Sequence, residues 1–468
     1  MQENGLEAEL KNTIYRFVKS KKRENNTYDA FFRKCQIHWD KRIHKSLNSM
    51  CNELGISLAK PRTTNDKEEI LSKWTELSNY EKCNLYLTHP LLLDSLSTIN
   101  FYPESVKEAL GTLKTRGSTG WQFSQIPLKV KNLGDLRSFY SELSRGEQIL
   151  TATNSLVMTH SFAQFEEERI NLGEKVLLKN YAPIAQEFLK KGCPRCLRAR
   201  IWSLLLGSEV KEYEYAYFQS LKEHVLQYDL MIDKLIIKDI TLTASNDDQY
   251  FVFEDVLYQV MLCFSRDSEI LKNLPTQPAF MQVVIKGKTG TPESTNTTIV
   301  FPPSGVIPFH GFSMYAAPFC YIYDDPVHLY FSFRAFYLRY WHRLHRVCGN
   351  SQGVVALCLL FEKLLQCFDP LLWNHFRKYH VPPLRLVIKW IMRAFSGHLP
   401  PEQLLSLWDL VLAYDSLEII SLLAVVILIF RRDNLLKVTT LQNIEAVLAD
   451  LSSIAVIPLL QMALMKDL

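Results

Sequence analysis

Residues 354–368 read VVALCLLFEKLLQCF, and their spacing decides the fold class. Val354, Leu357, Cys358, Phe361, Leu364, Leu365 and Phe368 recur three and four positions apart, which gathers them on one face of a 3.6-residue helix. Further along, residues 419–430 read IISLLAVVILIF, broken only by Ser421. A membrane span needs about 20 apolar residues, so this run is too short and predicts a helix buried in a core. Arg431 and Arg432 close it, as suits the negative end of a helix dipole.

The same period runs through the rest of the chain. Trp39, Ile43, Leu47, Met50, Cys51 and Leu54 make a helical stripe, with Gly55 where a C-terminal cap belongs. Asn65 followed by Glu68 reads as a capping box ahead of Ile70, Trp74 and Leu77. Residues 117–120, Gly-Ser-Thr-Gly, read as a loop. Residues 161–191 read as helical; Gly192 and Pro194 punctuate, and Leu197, Ile201, Leu204 and Leu205 form the next apolar face. Pro382-Pro383 and Pro400-Pro401 mark later boundaries. Residues 275–308 are rich in Pro, Gly, Ser and Thr and read as a surface insertion with a short strand at 281–285. The expectation is an all-α protein with strand confined to that insertion: a helical N-terminal region of unassigned role over residues 1–160, then a multi-helix domain over 161–468.

Composition narrows the function classes. Of 468 residues, 47% are hydrophobic and 22% charged, an ordinary globular balance with ample surface for a large core. The formal net charge of +4 is small for this length, so no nucleic-acid partner is implied. Ten cysteines show no disulfide-framework spacing, and the opening MQENGLE has no signal-peptide character. The expectation is reduced thiols and a cytoplasmic chain, with any membrane association peripheral. Arg339, His342, Arg343 and Arg346 stand at i, i+3, i+4 and i+7, which predicts one helix face, either simply solvated or drawn to anionic lipid or to an acidic partner. Lys19, Lys21, Lys22 and Arg23 form a similar short cluster.

Motifs of free-standing chemistry are missing. Gly287-Lys288-Thr289 has the end of a phosphate-binding loop, but Gln282 stands where the first Gly belongs, and Gly290 and Pro292 resist the required helix. It reads as a flexible loop. Cys193-Pro-Arg-Cys196 has the spacing of half a zinc site, with no second pair to complete four ligands. There is no G-x-S-x-G elbow and no H-E-x-x-H pair, and His375 and His380 lack an evident partner carboxylate in sequence. No metal site and no catalytic residue are assigned from these patterns.

The order of several segments carries a resemblance. Gly192-x-Pro194-x-x-Leu197-Arg198-x-x-Ile201-Trp202 with Leu205-Leu206-Gly207, then Ile236-Ile-Lys-Asp239, then the segment from Gly311 to Phe319, then Phe368-Asp369-Pro370-Leu371-x-x-x-His375-Phe376, and finally Lys389-Trp390 through Leu404-x-x-Leu407-Trp408-Asp409 resemble, in sequence, the motif blocks of TBC domains, the domain of Rab GTPase-activating proteins. They cover residues 192–411, about half the chain. The resemblance implies an all-helical TBC-like (Rab-GAP) domain with a groove that grips a Rab-family small GTPase. That groove would be lined here by Arg198, Asp239, Leu242, His310 and Gly311. It implies GTPase activation in vesicle trafficking, with no cofactor of the chain's own: GTP and Mg would be held by the Rab.

In the family, the Arg of I-x-x-D-x-x-R reaches the nucleotide phosphates and the Gln of Y-x-Q positions the attacking water. A guanidinium suits the charge that phosphoryl transfer spreads over phosphate oxygens, and the water needs a fixed hydrogen-bond partner. This sequence departs at both fingers. Three residues after Asp239 stands Leu242, and before Gly311 stands His310, with Pro308 in place of the Tyr. No Arg occurs between Arg200 and Arg266. An arginine finger contributes about 10³–10⁵ in rate, roughly 4–7 kcal/mol of barrier. Leu242 can supply none of it, whereas a neutral His310 can both donate and accept. Two readings follow: a GTPase activator with altered catalytic groups, or a catalytically inactive TBC scaffold that binds a Rab or another partner.

Overall fold

The computed structural model describes residue 12 and residues 29–74, 128–144, 159–274, 281–285 and 297–465. Its main elements, in chain order, are α1 (Asp29–Leu54), β1 (Ala59–Pro61), α2 (Thr64–Lys73), α3 (Leu133–Phe139), α4 (Thr159–Leu178), α5 (Ala182–Leu189), α6 (Arg195–Leu206), α7 (Glu212–Gln227), β2 (Tyr228–Leu230) and α8 (Met231–Leu242). There follow α9 (Glu254–Arg266), β3 (Met281–Ile285), β4 (Thr297–Phe301), α10 (Pro326–Arg339), α11 (Val354–Phe368), α12 (Pro370–Lys378), α13 (Pro383–Met392), α14 (Pro401–Tyr414), α15 (Glu418–Phe430), α16 (Leu441–Leu448) and α17 (Val456–Leu464). The fold is all-α.

The two apolar runs that set the expectation pack on each other. Every side chain from Ile419 to Leu428 of α15 is buried, and α15 lies against α11, α13 and α17. Ser421, the break in the run, donates its hydroxyl to the Leu357 carbonyl of α11 at 2.9 Å, so the polar group costs little. Gly55 takes the left-handed conformation after α1, as a helix C-terminus favours. The N-terminal box of α2 is Thr63 with Asp66 rather than Asn65 with Glu68: the Thr63 hydroxyl accepts from the Asp66 amide and the Asp66 carboxylate from the Thr63 amide. Asn65 and Glu68 already lie inside the helix.

Strand is less confined than the composition suggests. β3 sits where expected and pairs antiparallel with β4, Met281 opposite Phe301. A second ribbon joins β1 to β2, Ala59 opposite Leu230, and thereby ties residues 56–62 to the start of α8. The reason lies one residue beyond β1. Arg62 is buried, donates to the Val225 carbonyl at 2.7 Å and pairs with Asp229 at 3.3 Å and Asp233 at 2.5 Å. Asp233 also receives Arg266 of α9 at 2.5 and 2.6 Å. A buried cation needs such partners, and the short ribbon carries Arg62 to them.

The basic cluster expected on one helix face is divided. α10 ends at Arg339, and Trp341–Leu344 continue as a tighter 3₁₀ turn. Arg339 grips Asp415, while His342 and Arg346 are buried. The cause is the aromatic density here: Trp341 stacks on Phe336 and Tyr315 and draws the turn inward. Lys19, Lys21, Lys22, Arg23, the Gly287-Lys288-Thr289 loop and residues 117–120 lie outside the described residues. Among the described residues no helix is long and apolar enough to cross a membrane.

Candidate functional site

The C-terminal half of α8 faces the segment that leads into the 3₁₀ turn Ser313–Tyr315. Asp239 joins them. It is buried, and its two carboxylate oxygens accept the backbone amides of Gly311 at 2.5 Å and Ser313 at 2.7 Å. Burial pushes its carboxyl up to about 6, against the pull of those amides and of Arg393. One turn on, the Thr243 hydroxyl meets the Ser313 hydroxyl at 2.8 Å. Leu242, at the end of α8, is thereby brought to the same end of the molecule as residues 310–313, and it is 37% exposed. Exposed Phe251 and Val252 follow it on the next turn, and exposed Tyr321 donates to the Gln249 carbonyl beside them.

His310 stands where the resemblance puts the second finger. Its Nδ1 lies 3.8 Å from the Asp239 carboxylate, beyond hydrogen-bond reach. Burial, with the nearby charges of Arg393 and Lys389, lowers its pKa to about 4. The imidazole is therefore neutral near pH 7, and the 3.8 Å approach is not an ion pair there. Gly311 is required by its backbone: φ is +89°, and a Cβ would overlap the Arg393 guanidinium. Arg393 caps the end of α13, donates to the His310 carbonyl at 3.0 Å and lies flat over Gly311.

Arg198 does not belong with this group. It is buried, and its Nε and Nη2 bind the Asp409 carboxylate of α14 at 3.1 and 3.0 Å, with the Trp202 indole donating to the same carboxylate at 2.7 Å. Burial works against the Arg198 charge, but Asp409 more than offsets it and raises its pKa. Arg198 is thus an internal staple between α6 and α14 rather than a groove residue. The resemblance marked it as a candidate because a family motif mixes architecture with contact. Conversely, Arg393 went unnoticed inside the Lys389–Leu399 block: nothing in the sequence shows that the end of α13 reaches His310. Cys193 is buried, Cys196 is exposed, and His375 donates to or accepts from no carboxylate but meets the Val438 carbonyl at 2.8 Å.

The chain belongs to the Rab-GTPase-TBC domain family, shown by a relative that it matches over most of both lengths, and the family profile matches residues 309–436. A human protein, TBC1 domain family member 19, is 44% identical over 438 residues, covering 93% of this chain and 82% of that protein. The Dictyostelium discoideum TBC domain-containing protein kinase-like protein is 29% identical over 131 residues, 28% of this chain and 12% of its own length. Among solved structures, the Chlamydomonas flagellar RabGAP TBC domain aligns with a TM-score of 0.44 and 15% identity, over 74% of this chain and 99% of that one.

Proposed function

We propose that this chain is a regulator of Rab-family small GTPases in membrane trafficking that docks a Rab, with GTP and Mg held by the Rab, and does little to accelerate hydrolysis itself. The observation that carries the reading is Leu242: an exposed apolar side chain stands where the resemblance puts the arginine, beside the clamp of Asp239 on the amides of Gly311 and Ser313. A neutral His310 can hold a water by hydrogen bonding, but without a cation the charge on the phosphate oxygens goes unanswered. The test is single-turnover GTP hydrolysis across a Rab panel, with a binding assay beside it. At least one Rab should bind while its hydrolysis rate stays within about tenfold of the intrinsic rate, well short of the ~10³ of a finger. Strong stimulation of a bound Rab would overturn the scaffold reading.

One observation favours a second reading, activation with altered groups. Arg393 brings a guanidinium to His310 from a different element than the family's arginine. If it serves the Rab, stimulation is robust and Arg393→Met abolishes it while binding persists.

A further inference from the structure

Residues 370–401 contain five arginines and lysines, Arg377, Lys378, Arg385, Lys389 and Arg393, and no aspartate or glutamate. That excess is larger than the formal +4 of the whole chain, so positive charge is concentrated here rather than spread. Helices α12 and α13 display it. On α12 the buried Leu372 and Phe376 set the inner face, and Arg377 and Lys378 in the last turn are exposed. On α13 the inner face is Leu384, Val387, Trp390 and Ile391, which leaves Arg385 and Lys389, one turn apart, exposed on the outer one.

The turn over residues 379–382 brings the two ends together. The Val381 amide donates to the Phe376 carbonyl at 2.9 Å and the Arg385 amide to the Pro382 carbonyl at 3.0 Å. Arg377, Lys378 and Arg385 therefore all lie within one helical turn of the same short connection. Tyr379 and His380 are exposed at its tip, with the Lys378 ammonium 5.2 Å from the Tyr379 ring.

Cations that serve the fold in this chain are tied to carboxylates: Arg198 to Asp409, Arg339 to Asp415, and Arg432 to Asp369. Arg377, Lys378, Arg385 and Lys389 meet no carboxylate among the described residues. The acids that bound the stretch are engaged elsewhere, since Asp369 caps α12 and holds Arg432, and Glu402 pairs with Arg195. A shaped protein partner is gripped at a few anchored, desolvated side chains. Here the charged heads ride on flexible stems around an exposed tyrosine, and a fluid layer of anionic headgroups needs no shaped counterpart. Tyrosine among cations is also a composition that settles at headgroup level.

We propose that the outer face of the α12–α13 hairpin, through Arg377, Lys378, Arg385 and Lys389 with Tyr379 at the tip, is a docking surface for an anionic lipid membrane. It is distinct from the Arg339–Arg346 cluster, whose His342 and Arg346 are turned inward. The attachment is peripheral and requires no bound Rab. From Arg385, α13 runs about 12 Å to Arg393, which holds the His310 carbonyl, so lipid bound at the hairpin lies close to the candidate site.

The experiment measures, by flotation, the partition of the full-length protein onto phosphatidylcholine vesicles with and without a phosphatidylserine fraction of roughly 30%. Binding is expected only with phosphatidylserine and should weaken as salt rises. At about fivefold in partition per basic residue, Arg385→Gln with Lys389→Gln should lower it by roughly 25-fold. Arg377→Gln with Lys378→Gln is a second pair of the same expected size, should the first melt early. Lys175→Gln with Lys179→Gln removes as much charge from exposed positions on α4, which packs on α5 and α6, and should cost under about threefold. Equal losses from the α13 and α4 pairs would mean attraction to overall charge and would overturn the proposal. Equal partition onto both kinds of vesicle, or none onto either, overturns it as well. If the hairpin serves an acidic protein instead, the α13 pair weakens Rab binding and leaves vesicle partition unchanged, which also contradicts it.

Discussion

Asp409 and Asp239 are both buried carboxylates from family motifs, and they are buried to different ends. Asp409 is surrounded by side chains: Arg198 takes it bidentately and Trp202 adds a third donor. Asp239 is held by two backbone amides, with a neutral histidine beyond bonding distance. The first arrangement locks two helices together. The second fixes the path of a short segment and leaves the side chains on either side of it, Leu242 and His310, free to differ from the family without disturbing the fold. On the proposed reading, that difference is how the two finger residues are lost while the TBC architecture persists.

The comparison can be broken most heavily from the core beneath it. Val426 is 6% exposed on α15. Val426→Asp puts an unpaired charge among apolar neighbours, a cost of several kcal/mol against a total stability of about 5–15 kcal/mol. Loss of the cooperative melt and of soluble expression is expected; a melt close to wild type would show that α15 is not a core helix. Next comes the staple. Asp409→Ala leaves Arg198 buried and uncompensated, and should cost about 3–5 kcal/mol in a denaturant titration. A loss under about 1 kcal/mol would mean that Arg198 serves elsewhere.

The smallest expected effect sharpens the other half of the comparison. Asp239 is raised from 3.8 to about 6, so between those values the folded state binds the extra proton and stability falls as pH rises. His310 is lowered from 6.5 to about 4, so over that window the unfolded state binds the extra proton and stability rises with pH. The two slopes oppose each other in the wild type. Denaturant titrations between pH 4 and 6.5 should therefore tilt downward with pH in His310→Gln, relative to wild type, and upward in Asp239→Asn. Unchanged slopes in both variants would show that neither group titrates in that window.

Much of the fold was legible because apolar period is a local signal. The stripe of residues 354–368 and the run of 419–430 both became buried helices that meet. The strand at 281–285 was visible as well. What was not legible depends on distant partners. The β1–β2 ribbon exists because Arg62 must reach Asp229 and Asp233, more than 160 positions away in sequence. The i, i+3, i+4, i+7 pattern from Arg339 to Arg346 failed as a helix face because ring stacking on Trp341 turns the chain after Arg339. At the candidate site, motif order marked Asp239, Leu242, His310 and Gly311, which the fold brings to one end of the molecule, but it could not separate Arg198, which staples α6 to α14, or reveal Arg393, which arrives from α13.

The central claim is that the docking architecture survives and only the finger chemistry is missing. The double variant Leu242→Arg with His310→Gln tests it most directly, measured by single-turnover GTP hydrolysis on a Rab that the wild type binds. The account predicts that the variant binds that Rab as the wild type does and accelerates hydrolysis by an amount approaching the ~10³ lower bound for a finger, while the wild type stays near the intrinsic rate. Robust hydrolysis by the wild type that survives both Leu242→Ala and His310→Ala would contradict it.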